Sequence, residues 1–401
     1  MAYDVTAIRD RLPSLESGVA HFDGPGGTQT PDMVGDAVRA ALLAPIANRG
    51  RTTEAERAAD DIVTAARSAM ADLLGADPAG IVFGRSATAL NYIVSRAAAK
   101  GWRPGDEILV SRLDHDANIR PWMQAAQSAG AAVRWIDFDP ATGELTADHV
   151  AAVLSDRTRL VAVTGASNLI GSRPPIPAIA ELVHTHGALL AVDGVHLTPH
   201  ASVDLAALGA DLFTCSPYKF CGPHCGVLAA DPALLDTLHP DKLLPSTEAV
   251  PERFEFGTLP YELLAGVTAA VDFLAGLEPD AGGSRTERLA ASMAALETHE
   301  DRLRERLEDG LATLPGITAH ARAARRTPTL LLSFAGRDAA DAYRFLAQRK
   351  INAPAGSFYA LEPSRRLGLG DSGGLRVGLA PYTTDEEIDR LLAALAEFLR
   401  S

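Results

Sequence analysis

Leu189-Leu190-Ala191-Val192-Asp193-Gly194-Val195-His196 is followed, after a short acidic and apolar helix pattern, by Cys215-Ser216-Pro217-Tyr218-Lys219-Phe220-Cys221-Gly222-Pro223. The first segment reads as a buried strand that ends on an acid. The second reads as another strand that ends on a lysine in a glycine-rich turn. An acid and a lysine presented side by side at strand ends are the pair that pyridoxal phosphate (PLP) chemistry requires. The acid keeps the pyridine nitrogen protonated, and the lysine amine forms the Schiff base that holds and releases the cofactor. The stretch therefore predicts an enzyme with Asp193 and Lys219 as its catalytic pair.

Working outward, the order Asp193, His196, Gly209-Ala210-Asp211, Ser216-Pro217-Tyr218-Lys219 and Gly222-Pro223 resembles the class V aminotransferases, in particular their cysteine desulfurase-like branch. That family also contains selenocysteine lyases and isopenicillin N epimerase. One position departs from the pattern, since Tyr218 stands where most members carry histidine. The resemblance implies PLP as cofactor and an α/β structure of PLP fold type I. It also implies a homodimer whose active sites are shared between subunits.

The organisation of the chain agrees with that expectation. Strands are predicted at Gly80 to Phe83, Glu107 to Val110, Ala132 to Ile136, Leu160 to Val163, Leu189 to Val192, Leu212 to Thr214 and Gly226 to Ala229, alternating with helices. This spacing gives a mostly parallel seven-stranded sheet covered on both faces, with ligands collecting at the carboxyl ends of the strands. After about Ala265 the pattern changes to amphipathic helices at Gly266 to Leu277 and Arg285 to Leu314. A strand, helix, strand, strand, helix series closes the chain. We expect residues 18–265 to form the PLP-binding domain, and residues 1–17 with 266–401 to form a small α+β domain.

Composition narrows the function classes. An apolar content of 47% over 401 residues is ample for a large core, and a formal charge of −14 without any basic run disfavours nucleic acid or an anionic membrane as partner. The first residues lack the basic and apolar blocks of a signal peptide, and no apolar run reaches membrane-spanning length, so a cytoplasmic protein is expected. Cys215, Cys221 and Cys225 cluster around Lys219. Their spacing matches no standard zinc pattern, so they are expected to be small buried apolar residues and no metal is assigned.

The remaining site residues come in the family's order. Gly84-Arg85-Ser86-Ala87-Thr88 opens a helix, where free N–H groups and hydroxyls suit a phosphate, and Ser216 would add another hydroxyl. Asp114-His115-Asp116-Ala117-Asn118 resembles the segment whose histidine lies on the cofactor ring, which assigns His115. Ser167-Asn168 resembles the segment whose asparagine bonds the phenolic oxygen, an oxygen that His196 would share. Arg376 stands at the place of the carboxylate-binding arginine, and Arg49 at that of a second arginine near the substrate. Thr258, in Phe256-Gly257-Thr258, matches a threonine that reaches the neighbouring subunit's phosphate. Gly26 and Gly27 lie in a loop that would cover the substrate.

One loop decides the chemistry. Ile351 to Ala360 corresponds to the segment that carries the sulfur-accepting cysteine of desulfurases, and Tyr359 occupies that place. A phenol cannot carry a transferable persulfide. What remains is an enzyme in which Lys219 removes the α-proton of an amino acid, with β-elimination at a C–S bond as the first expectation. Transamination and epimerisation are the alternatives, and a PLP-binding protein without catalysis is the other class. Tyr359 is placed either to act as an acid or to cap an aromatic pocket with Phe358.

Overall fold

The computed structural model describes residues 3–320 and 322–401. Seven strands form the central sheet: β1 (Ile81–Gly84), β2 (Glu107–Ser111), β3 (Ala132–Ile136), β4 (Thr158–Thr164), β5 (Leu189–Asp193), β6 (Leu212–Cys215) and β7 (Gly226–Ala230). Their order across the sheet is β1-β7-β6-β5-β4-β2-β3, and only β7 runs against the rest. All seven strands expected from the sequence are therefore present, in one mostly parallel sheet.

Alternate residues of each strand feed two apolar layers, which is why these runs are hydrophobic throughout. Ile108, Val110, Leu160 and Ala162 pack on one face, while Leu109, Val161 and Val163 pack on the other. The longer helices are α1 (Asp32–Leu43), α2 (Glu54–Leu74), α3 (Ala87–Ala99), α4 (Arg120–Ala129), α5 (Ile176–Thr185), α6 (Tyr261–Leu274), α7 (Arg285–Ala312), α8 (Ala339–Ala347) and α9 (Asp385–Arg400). The first face lies under α3 and α4, through Leu90, Val94, Trp122 and Ala126. Val63, Met70, Ile179 and Val183, from α2 and α5, cover the second.

Helix starts follow the sequence signals. Thr53 with Glu56, Ser284 with Glu287, and Thr384 with Glu387 form reciprocal capping boxes that fix the starts of α2, α7 and α9. Helix α6 begins earlier than its apolar pattern suggests and packs on α1 and α2, beside the large sheet. Helix α7 joins the two parts of the chain. Its Arg285 pairs with Asp72 of α2, and its Arg302 and Arg306 pair with Asp385 and Asp389 of α9.

The C-terminal part holds a four-stranded antiparallel sheet of β8 (Ile317–Ala319), β9 (Thr329–Phe334), β10 (Ala355–Gly356) and β11 (Gly374–Gly378), in the order β10-β11-β9-β8. Ala20 and His21 pair in parallel with Ile351 and Asn352, which ties the N-terminal segment to this part. In the described residues no helix is long and apolar enough to cross a membrane.

Candidate active site

With β7 the only reversed strand, β1, β2, β4, β5 and β6 all end on one edge of the sheet, and the side chains singled out from the sequence converge there. An inner cavity is lined by Ser86, Ala87 and Thr88, by His115, by Asn168, by Asp193 and His196, and by Ser216, Tyr218 and Lys219. It opens into an outer cavity of about 650 Å³ whose walls add Gly26, Tyr92, Arg120, Phe358, Tyr359 and Arg376.

The inner cavity fits an anionic group at one end. Ser86 caps α3 by accepting from the Ala89 N–H at 3.1 Å, which leaves the first N–H groups of the helix, at Ala87 and Thr88, without intrahelical acceptors. Gly226 is needed here, because a β-carbon on it would lie 2.2 Å from the Ser86 carbonyl carbon and would push the cup aside. Two buried polar atoms, Asn168 Oδ1 and His196 Nδ1, have no partner among the described residues. Such orphans are rare in a finished interior and mark places where a polar ligand completes the bonding.

The charges are tuned by burial and by one another. Burial pushes the Asp193 carboxyl up to about 6, although the Val195 N–H at 2.9 Å and the Lys219 charge favour its ionised form. Burial, aided by repulsion from Arg376, brings the Lys219 amine down to about 7, against the attraction of Asp193. Its Nζ donates to the Pro25 carbonyl. His115 is held down at about 4 by burial and by the Lys219 and Arg376 charges, so its ring is neutral. Its Nδ1 accepts from the Ala117 N–H at 3.0 Å, which leaves the ring proton on Nε2.

Behind His115 lies a network that sequence reasoning missed. The Asp114 carboxylate accepts from Ser111, from Asn118 Nδ2 at 2.6 Å and from the Thr164 N–H at 3.0 Å, while Asn118 Oδ1 accepts from Trp122 Nε1 at 3.0 Å. This fixes the loop that presents His115. Burial and the nearby Asp193 push Asp114 up to about 8 even so.

Arg376 lies buried in β11, its Nη1 donating to the Asn168 carbonyl at 2.9 Å. The Phe358 ring covers its guanidinium at 3.7 Å, and the Phe358 carbonyl accepts from Asn168 Nδ2 at 3.0 Å. Gly26 is close enough that a β-carbon there would stand 3.5 Å from Arg376 Nη2, and one on Gly27 would stand 3.3 Å from the Tyr218 ring. Tyr359 is 76% exposed at the mouth, with its ring 5.5 Å from that of His115. Phe358 and Tyr359 both have positive φ, 52° and 57°, so this loop is held in a strained turn.

Three expected residues do not line these cavities within one chain: Gly27, which sits behind the Tyr218 ring, Arg49 and Thr258. Arg49 pairs with Asp60 at 2.7 Å and Glu252 at 3.1 Å, and Thr258 sits exposed on its loop. Tyr92 and Arg120 are wall residues that the sequence reading did not single out, while Phe358, expected beside Tyr359 in an aromatic pocket, is a wall residue as well. Tyr92 had a signal, being four positions after Thr88 and so on the same face of α3.

The comparisons with known proteins agree with this geometry. Residues 20–391 match the family described as aminotransferase class-V. The chain belongs to the class V aminotransferase family. It is 36% identical to an uncharacterised protein of Mycobacterium tuberculosis, over 99% of both chains. It is 30% identical to a cysteine desulfurase of Salmonella gallinarum, over 100% of this chain and 99% of that one. Among solved structures, the cysteine desulfurase CsdA of Escherichia coli superposes with a TM-score of 0.87 at 27% identity, covering 100% of this chain and 99% of the other. This class V aminotransferase family member is thus a PLP-dependent enzyme of fold type I.

The lowered lysine gives a prediction. Only the neutral amine can attack the cofactor aldehyde, so the rate at which apoprotein captures PLP should climb about tenfold per pH unit up to about pH 7 and then level off. An ordinary exposed lysine would keep climbing to about pH 10. Stopped-flow absorbance at a series of pH values reads this directly, and a rate still rising tenfold per unit well above neutrality would contradict a neutral Lys219.

Proposed function

We propose that the enzyme is a PLP-dependent lyase that removes the β-substituent of an α-amino acid, with a C–S bond as the bond cleaved. The observation that carries this reading is the Lys219 amine, brought down to about 7 by burial, facing the Arg376 guanidinium across a cavity with no reactive thiol. Cys215, Cys221 and Cys225 are all buried, and burial pushes Cys221 and Cys225 up to about 12 and Cys215 further still. A persulfide carrier must be an accessible thiolate, so the usual desulfurase route has no acceptor here.

In this reading Ser86, Ala87, Thr88 and Ser216 would hold the cofactor phosphate, and His115 would cover the ring. Asp193 would face the pyridine nitrogen and His196 the phenolic oxygen, to which Asn168 would donate by turning its Nδ2 from the Phe358 carbonyl. When bound, PLP supplies the electron sink that makes the α-carbon acidic. Arg376 grips the substrate carboxylate through paired N–H donors and so presents the α-C–H bond to Lys219. Lys219 takes that proton, the C–S bond breaks with its electron pair on sulfur, and the phenol of Tyr359 at the mouth protonates the departing thiolate. Room in the outer cavity for more than a methyl group supports a substrate with a sizeable β-substituent.

The same reading includes a cytoplasmic homodimer. Thr258 and Arg49, remote from their own cavity, would serve the neighbouring subunit's site. Exposed Leu42, Leu43, Leu244 and Phe256 support an apolar contact of that kind.

Proton NMR of the PLP-loaded enzyme in heavy water, with a panel of S-substituted cysteines and ordinary amino acids, tests the proposal. Loss of the α-proton signal together with pyruvate and free thiol is the expected result. Exchange that leaves the amino acid otherwise intact would replace the lyase by an epimerase or half-transaminase. With no exchange on any substrate, the lyase proposal fails.

A further inference from the structure

We infer that Thr329, with Thr327 beside it, fixes which nitrogen of His196 carries the proton and so makes His196 a hydrogen-bond donor toward the cofactor's phenolic oxygen. The inference rests on the placement of His196 proposed above. It concerns two residues of the C-terminal part, far from the cofactor segment in sequence.

His196 is 2% exposed, and its ring lines the inner cavity. Nε2 lies 3.0 Å from Thr329 Oγ1 and 3.1 Å from Thr327 Oγ1, while Nδ1 has no partner among the described residues. Burial, with His200, Lys219 and Arg376 adding repulsion, keeps the ring neutral, so one nitrogen carries a proton and the other does not. The threonine hydroxyls decide between the two. Thr327 has an alternative acceptor in the Gly171 carbonyl at 3.4 Å. For Thr329 Oγ1, Nε2 is the one hydrogen-bond partner among the described residues.

If Nε2 carried the proton, it would satisfy one threonine oxygen and strand the Thr329 hydroxyl proton in the interior, a penalised arrangement. If Nε2 is bare, Thr329 donates to it and the proton resides on Nδ1. That N–H is then the unpartnered group that lines the cavity, ready for an anionic oxygen. The logic is that of an outer partner setting the tautomer of a ligating histidine.

The charged and titratable groups around the ring come from several elements. His200 stands edge-on at 5.0 Å, its Nδ1 paired at 2.9 Å with Glu300 of α7. Asp193 ends the preceding strand, Lys219 lines the same inner cavity, and Arg376 acts on the ring through its charge from the outer cavity. Thr329 opens β9, in which it pairs with Gly378 and Leu331 pairs with Arg376. One small sheet thus holds both the substrate clamp and the group that sets the polarity of His196.

A donor at the phenolic oxygen draws electron density from the Schiff-base nitrogen, so the nitrogen holds its proton less tightly. Removing the donor raises the midpoint of the pH titration followed in the visible absorption of the Lys219-bound cofactor. For Thr329→Val and for the double variant with Thr327→Val, we expect that midpoint to rise by about one unit, a tenfold change in proton affinity. The PLP dissociation constant, measured by fluorescence titration of apoprotein, should rise roughly three- to tenfold. Thr329→Ser should restore both. A double variant with a lower melting temperature and an unmoved midpoint, alongside a His196→Ala protein whose midpoint does move, would reduce the threonines to structural supports and overturn the inference. An unmoved midpoint in His196→Ala would overturn it too, by removing His196 from the oxygen, and would leave the lyase reaction to be judged by the heavy-water experiment.

Discussion

Lys219→Ala should reduce turnover by at least about four orders of magnitude, because in the proposed mechanism one side chain serves as both cofactor anchor and general base. No other amine is available to replace it. Among the described residues lining the two cavities, Lys219 is the only lysine, and the Arg376 guanidinium remains a cation at neutral pH. Borohydride should fix PLP to the native enzyme at a peptide containing residue 219 and should leave the variant unlabelled in the mass spectrum. The Pro25 carbonyl would lose its donor, at a cost of about 1 kcal/mol, so the variant should fold. Retention of more than about a hundredth of the activity would require another base and would sink the assignment.

Arg376→Leu should lower kcat/KM by about 10²- to 10³-fold, the loss expected when one member of a buried charge-assisted pair is removed. Arg376→Lys should recover little, because a point charge does not reproduce the two parallel N–H donors and cannot carry the Phe358 ring in the same way. The sign of a second effect is also fixed. Arg376 depresses the Lys219 amine by repulsion, so in Arg376→Leu the pH at which PLP capture levels off should move upward. An Arg376→Leu enzyme with unchanged KM, kcat and capture profile would place the substrate carboxylate elsewhere.

Much of the site was legible because it sits at strand ends. A continuous apolar run followed by Asp193, or by Ser216 to Lys219, announces a buried strand and the group it delivers, and local pattern suffices for that. Long-range contacts leave no such trace. Thr327 and Thr329 meet His196 across more than a hundred residues, and Phe358 covers Arg376 only because a strained turn aims it there. The strands Ala355–Gly356 and Ile317–Ala319 escaped detection for a related reason. Each is two or three residues long, and its pairing is decided by its partner strand rather than by its own composition.

Helix α7 has a mechanical meaning. At 28 residues it is a rod of about 42 Å, anchored at its start to α2 beside the large sheet and at its far end to α9 of the C-terminal part. A tilt of about 3° about the anchored start displaces the far end by about 2 Å over that length. A rod of this length would turn a slight tilt at α2 into a shift of hydrogen-bond scale at α9, the helix that closes the C-terminal part.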